Sequence, residues 1–179
     1  MAGFRRRPWL APFLLTTACA RPHPTLVNNP APNPSAPLAV DPQLVYAKFA
    51  TELQVRPDDI DMYQHVHSSR YMDYVLAARF DQMERCYKMS MAEFQKRGLG
   101  WFMAATQMNF KRPLGLGDRF VVRTWIEQFT LIGVKVRFQI ERTADHKLSC
   151  DGWFDYVLVS TETARAVRLP GDIRAKYAI

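Results

Sequence analysis

The stretch SRYMDYVLAARFDQMERCY, residues 69–87, decides the fold. Its polar residues Asp73, Asp81, Glu84 and Arg85, with Lys88 just beyond, recur three, four or eight positions apart and make one wet stripe on a helix. Tyr71, Met72, Val75, Leu76, Ala78, Phe80 and Met83 cover most of the remaining circumference. A helix that apolar must be wrapped by other structure rather than laid on a surface.

The wrapping comes from what surrounds it. Residues 46–55, YAKFATELQV, read as a first strand that ends before Pro57 and the Asp58-Asp59 pair. After the helix, Ser90 and Glu93 are spaced as a capping pair for a short second helix, which Gly98 should end. Everything later reads as antiparallel sheet. Residues 102–111 form one strand, and RPLGLGD (Arg112–Asp118) forms a turn. Residues 119–129 form the next strand. From 134 to 142, Val134, Val136, Phe138 and Ile140 alternate with Lys135, Arg137, Gln139 and Glu141, the period of a half-buried strand. Residues 148–160 supply the last strand, with Trp153, Tyr156, Val157 and Val159, and Pro170-Gly171 breaks the chain before a short C-terminal piece. One strand, one long apolar helix and four strands predict an α+β domain over residues 43–179, with the sheet around the helix.

The first 42 residues are of a different kind. They hold nine of the twelve prolines, including NPAPNPSAP at 29–37, and read as a disordered, polyproline-like extension. Arg5–Arg7 ahead of a short apolar run ending in Ala18-Cys19-Ala20 resemble a targeting segment, although Pro12 interrupts the run. The expectation is a cytoplasmic protein with a dispensable extension; the alternative is export or organellar import directed by residues 1–20.

Charge narrows the partners. The chain has 179 residues and a formal charge of +7, but residues 1–40 carry four arginines and no acid. The remainder holds 20 basic and 17 acidic side chains, a mild excess suited to phosphate-bearing ligands and giving no reason to expect nucleic acid. No apolar run is long enough to span a membrane. Cys19, Cys86 and Cys150 are too few and too far apart for a disulfide framework or a zinc site.

The chemistry is concentrated in DDIDMYQHVHSSRYMDY, residues 58–74, where acids, histidines and serines run straight into the apolar helix. A helix N-terminus presents unpaired N–H groups and partial positive charge, which can hold a carbonyl oxygen as it becomes an oxyanion. Asp61 and His65, four apart, are near enough to converge there. Asp61 also suits a plain loop cap, and His65 a hydrogen-bonded structural histidine. His65 and His67 with Asp59 or Asp61 lack a fourth ligand for a metal site, so no metal or cofactor is expected. Ser68 and Ser69 lack the G-x-S-x-G elbow of a serine hydrolase.

Asp59-Ile60-Asp61, then His65-Val66-His67-Ser68, then Tyr71 resembles the D-x-D-x-x-x-H-V-N-N-x-x-Y signature of hotdog-fold thioesterases, the 4-hydroxybenzoyl-CoA thioesterase-like and acyl-carrier-protein thioesterase families. FKRPLGLGD, residues 110–118, is similar to their strand-ending R-P-x-x-x-G-D turn. The resemblance covers about residues 46–179 in the right element order. It implies a hotdog fold and hydrolysis of an acyl thioester, with Asp61 as catalytic nucleophile or general base and His65 as its companion. His67, Ser68, Ser69 and Tyr71 fall in the substrate-binding or oxyanion region, and Lys111 and Arg112 are candidates for nucleotide phosphates. Two departures stand out: the family's Asn-Asn pair is His67-Ser68, and Tyr63 replaces the Asn found two after the aspartate in the carrier-protein branch. The second favours acyl-CoA as substrate. A homodimer or homotetramer is expected, because a lone sheet leaves an open edge. A hydratase on the same fold is an alternative, although the D-x-N-P-x-H spacing is missing; a non-catalytic acyl-binding domain is another.

Overall fold

A computed structural model describes residues 46–179. The expected extension, residues 1–42, lies outside the described residues. Five strands form one antiparallel sheet: β1 (Phe49–Gln54), β2 (Leu99–Phe110), β3 (Arg119–Phe129), β4 (Gly133–Arg142) and β5 (Leu148–Ser160). Their spatial order is β1-β3-β4-β5-β2, so β1 and β2 are the edges. The described residues also form three α-helices, α1 (Arg70–Arg85), α2 (Met91–Lys96) and α3 (Gly171–Tyr177), and one 3-10 turn at Pro57–Asp59. This is the α+β hotdog arrangement, one long helix held against a curved sheet. Among the described residues no helix is long and apolar enough to cross a membrane.

The alternation read in residues 134–142 is realised residue by residue: Val134, Val136, Phe138 and Ile140 are buried and their neighbours are half-exposed. In β5 the buried side is Cys150, Phe154 and Leu158, while Trp153, Val157 and Val159 take the opposite face. Tyr74, Val75 and Ala78 of α1 share a core with Phe120, Val122, Phe138, Ile140 and Phe154. The valine, isoleucine and phenylalanine side chains among them each contribute about 1.5–3 kcal/mol when fully buried. Polar pinning fixes the helix as well. Gln82 is fully buried; its amide nitrogen donates to the Thr51 hydroxyl at 3.2 Å, and its amide oxygen accepts from the Thr124 hydroxyl.

Strand β2 carries one irregularity that matters. Its pairing with β5 shifts between Met103 and Ala105. Because strand faces alternate with period two, one extra residue exchanges them. Trp101 and Met103 before the shift, and Met108 and Phe110 after it, therefore lie on the same face, opposite Leu158, Tyr156, Gly152 and Cys150 respectively.

The capping pair also holds, in half. Ser90 Oγ accepts the Glu93 N–H at 3.4 Å, while the Glu93 carboxylate pairs with Arg97 at 3.1 Å instead of returning to Ser90. Gly98 adopts φ +65° where α2 ends, a backbone conformation open to glycine at little cost.

Candidate active site

The segment between β1 and α1 is a tight loop built on Asp61. Ile60 and Val66 pair as an antiparallel bridge. Across it the Asp61 N–H donates to His65 O at 2.8 Å, and the Gln64 N–H to Asp61 O at 3.0 Å. Gln64 sits at φ +62°, which lets the chain reverse. Asp61 Oδ1 accepts the Tyr63 N–H at 2.8 Å and the His65 N–H at 3.4 Å. The loop-cap role is thus real and occupies one carboxylate oxygen. Among the described residues Oδ2 receives no hydrogen bond.

Asp59, two residues earlier, has a different job. Its carboxylate is 3% exposed and accepts from Arg56 Nε at 2.7 Å and the Tyr74 hydroxyl at 2.6 Å, with Arg70 Nε at 3.4 Å. The Arg56 hydrogen bond, above all, holds this carboxyl below the usual range against the opposing effect of burial. Burial, then the bond to Asp59, pushes the Tyr74 phenol up to about 12. The Asp59 carbonyl also accepts the His67 N–H at 2.9 Å. Asp59 therefore fastens the loop to the start of α1.

The second motif is sewn to the first. The Val66 N–H donates to Leu114 O at 2.8 Å, His65 bridges Gly115, and the Leu114 N–H donates to the Tyr71 hydroxyl at 3.0 Å. Gly117 takes φ +79° in the turn, and Asp118 accepts the Gly115 N–H at 2.9 Å. The result is a cleft of about 460 Å³ whose walls include Asp61, His65, His67, Ser68, Tyr71, Phe110, Lys111 and Arg112. Sequence reasoning named all of these except Phe110, whose side chain the shift in β2 aims at Tyr71, ring centres 5.3 Å apart.

Ser69 is not on the cleft wall. Its N–H donates to His67 Nδ1 at 3.3 Å, and its hydroxyl lies 2.9 Å from the same nitrogen. An amide can only donate, so Nδ1 is the acceptor and the proton of the neutral ring sits on Nε2. The Arg70 N–H is likewise taken, by His67 O at 2.9 Å. Of the amides from Ser68 to Tyr71, those of Ser68 and Tyr71 make no backbone hydrogen bond among the described residues. The Tyr71 side chain itself is structural: burial raises its phenol, and the Leu114 N–H opposes that.

Among the described residues no group of three metal-binding side chains gathers at a point. Cys150 is fully buried, and burial pushes its thiol up to about 12, as suits a small core residue.

The sequence profile of the thioesterase-like superfamily matches residues 55–177, from the end of β1 through α3. The chain belongs to the thioesterase-like superfamily. Membership agrees with the thioester-hydrolase class expected from the two motifs. The chain is 24% identical over 126 residues to the long-chain acyl-CoA thioesterase FadM of Escherichia coli (strain K12), covering 70% of this chain and 94% of that one. Among solved structures it resembles the DHNA-CoA thioesterase of Staphylococcus aureus, with a TM-score of 0.69 at 19% identity, over 73% of this chain and 89% of that one. It also resembles the hypothetical protein TT1821 of Thermus thermophilus, with a TM-score of 0.67 at 26% identity, over 72% and 96%. These superfamily structures share the hotdog fold described above.

Proposed function

We propose that this superfamily member hydrolyses acyl-CoA thioesters at the cleft between the Asp61 loop and the 112–118 turn. The observation that carries the reading is convergence. A carboxylate with one unengaged oxygen, two histidines, a helix N-terminus and two cations from distant parts of the chain line one opening.

Each has work to do in that chemistry. Asp61 Oδ1 is tied to the loop amides, which fixes the carboxylate and leaves Oδ2 to act. It either attacks the thioester carbonyl, forming an anhydride as the C–S bond breaks, or takes a proton from an attacking water. Water then opens the anhydride and restores Asp61. The Ser68 and Tyr71 amides, at the positive end of α1, stabilise the oxyanion. His65, exposed on the same wall, delivers a proton to the leaving thiolate. Lys111 and Arg112 at the mouth meet nucleotide phosphates. The acyl group runs along α1, where Leu76 and Phe80 escape coverage by the sheet and line a second, apolar cavity.

The test is thiol release from a panel of acyl-CoAs of graded chain length, run beside hydration of crotonyl-CoA. Thiol release without hydration is expected. Hydration without thiol release would replace the hydrolase reading with the hydratase one.

A further inference from the structure

Helix α1 carries a charge on its buried side, where none is expected. Arg79 is 5% exposed and lines an apolar cavity of about 240 Å³ together with Leu76, Phe80, Met83, Trp101, Met103 and Tyr156. A guanidinium keeps its positive charge and offers five N–H donors. One terminal nitrogen donates to Thr124 Oγ1 at 3.2 Å, a neutral acceptor. Its carbon lies 5.4 Å from the centre of the Tyr87 ring. Among the described residues no carboxylate comes within the 4.0 Å of an ion pair. Buried charges are ordinarily paired, because removing an ion from water costs several kcal/mol.

The surroundings lack partners too. The hydroxyls of Tyr87 and Tyr177 are buried and have no hydrogen-bond partner among the described residues. Their rings stack at 4.3 Å and 8°. Burial pushes up the phenols of Tyr87, Tyr156 and Tyr177, and the Arg79 charge opposes that in all three. The three tyrosines therefore sit within the field of one cation that has no carboxylate partner among the described residues, beside an apolar cavity.

We propose that Arg79 receives a carboxylate carried at the far end of an apolar acyl group, so that the preferred substrates are ω-carboxyacyl thioesters. The thioester half of this statement rests on the function proposed above; the carboxylate half rests on Arg79. Tyr71 and Arg79 are eight residues apart on one helix, a rise of about 12 Å. Tyr71 of the first cavity belongs to an apolar cluster against which Met72 and Met108 pack, as do Met103 and Tyr156 of the second. A chain of medium length, thioester at the α1 N-terminus and carboxylate at Arg79, matches that spacing.

The experiment compares decanedioyl-CoA, which bears one thioester and one carboxylate, with decanoyl-CoA. It uses the wild-type chain, Arg79→Met and Arg79→Lys, and adds calorimetric binding of decanedioate alone. A charge-assisted hydrogen bond to the guanidinium should give the wild type at least a ~10-fold higher kcat/KM on decanedioyl-CoA. Arg79→Met, matched in bulk, should bring that ratio to about one and abolish decanedioate binding, and Arg79→Lys should restore part of both. A ratio unchanged in folded Arg79→Met, or no preference in the wild type, overturns the proposal. So does an Arg79→Met chain that falls apart in light scattering and loses both substrates equally, since a second copy would then supply the counter-charge. Arg79-dependent binding of decanedioate without hydrolysis of either thioester would sink the hydrolase reading and leave the carboxylate site standing. Equal hydrolysis of both thioesters would do the reverse.

Discussion

The Tyr71 hydroxyl accepts a hydrogen bond from the Leu114 N–H at 3.0 Å, across 43 residues of chain. This one bond joins the first turn of α1 to the turn that carries Lys111 and Arg112 into the cleft. Tyr71→Phe leaves a buried amide without a partner, at a cost of about 1–3 kcal/mol. Urea denaturation should show that loss, and KM for an acyl-CoA should rise more than kcat falls. An unchanged midpoint and KM would show that the turn holds its place without Tyr71.

The proposed mechanism gives Asp61 two separable contributions. Asp61→Asn keeps an oxygen to accept the Tyr63 N–H, so the loop should survive, but it removes the carboxylate proposed to react. Hydrolysis should fall by at least ~10²-fold, the low end for a positioned acid–base group. Binding of a non-hydrolysable acyl-CoA analogue should change much less. Near-wild-type turnover by folded Asp61→Asn would leave only the cap role, and His65→Ala would become the next variant to assay.

Acid should weaken the anchor at Asp59. Its folded carboxyl is held below the ordinary value by Arg56. The stability this supplies is complete above the unfolded value of about 3.9 and is lost as pH falls through the lower folded value. Asp59→Asn should therefore cost about 1–3 kcal/mol at neutral pH, since its arginine partners are half-exposed. The gap between variant and wild type should close only in strong acid. Denaturation midpoints across a pH series would reveal it; a gap that instead opens on acidification contradicts this assignment.

Strand β2 runs twelve residues along an edge of the sheet, with Phe102 61% exposed upon it. Met62 and Tyr63 at the tip of the Asp61 loop are 83% and 73% exposed. A long unpaired edge beside bare apolar side chains is a surface built for pairing. Light scattering should give twice or four times the mass of one chain, and specific activity should drop on dilution below the dissociation constant of the assembly. A fully active monomer at assay concentration would count decisively against a shared site.

The sequence by itself determined every element whose cause lies among its near neighbours. Alternation at 134–142, the capping pair at Ser90 and Glu93, and the apolar girth of residues 69–87 need only local spacing to be read. The Asp61 and RPLGLGD motifs were legible through their resemblance to a known family, while the cleft they share was visible only in the fold. Arg79 and Gln82 were legible in principle, because they fall in register with Val75, Ala78 and Met83, yet neither was counted as buried. Tertiary structure alone decided which oxygen of Asp61 is engaged, that Ser69 serves His67 and not the cleft, and that Tyr71 holds Leu114. It also decided the face of Phe110, through a one-residue slip in pairing that no periodicity within β2 reveals. The Tyr71–Leu114 bond and the facing of Phe110 depend on partners far along the chain, brought together only when the sheet closes on α1, whereas the Asp61 and Ser69 bonds reach two to four residues and depend on how the loop itself folds. A sequence states each residue's capacity to bond, and the fold chooses which capacity is used.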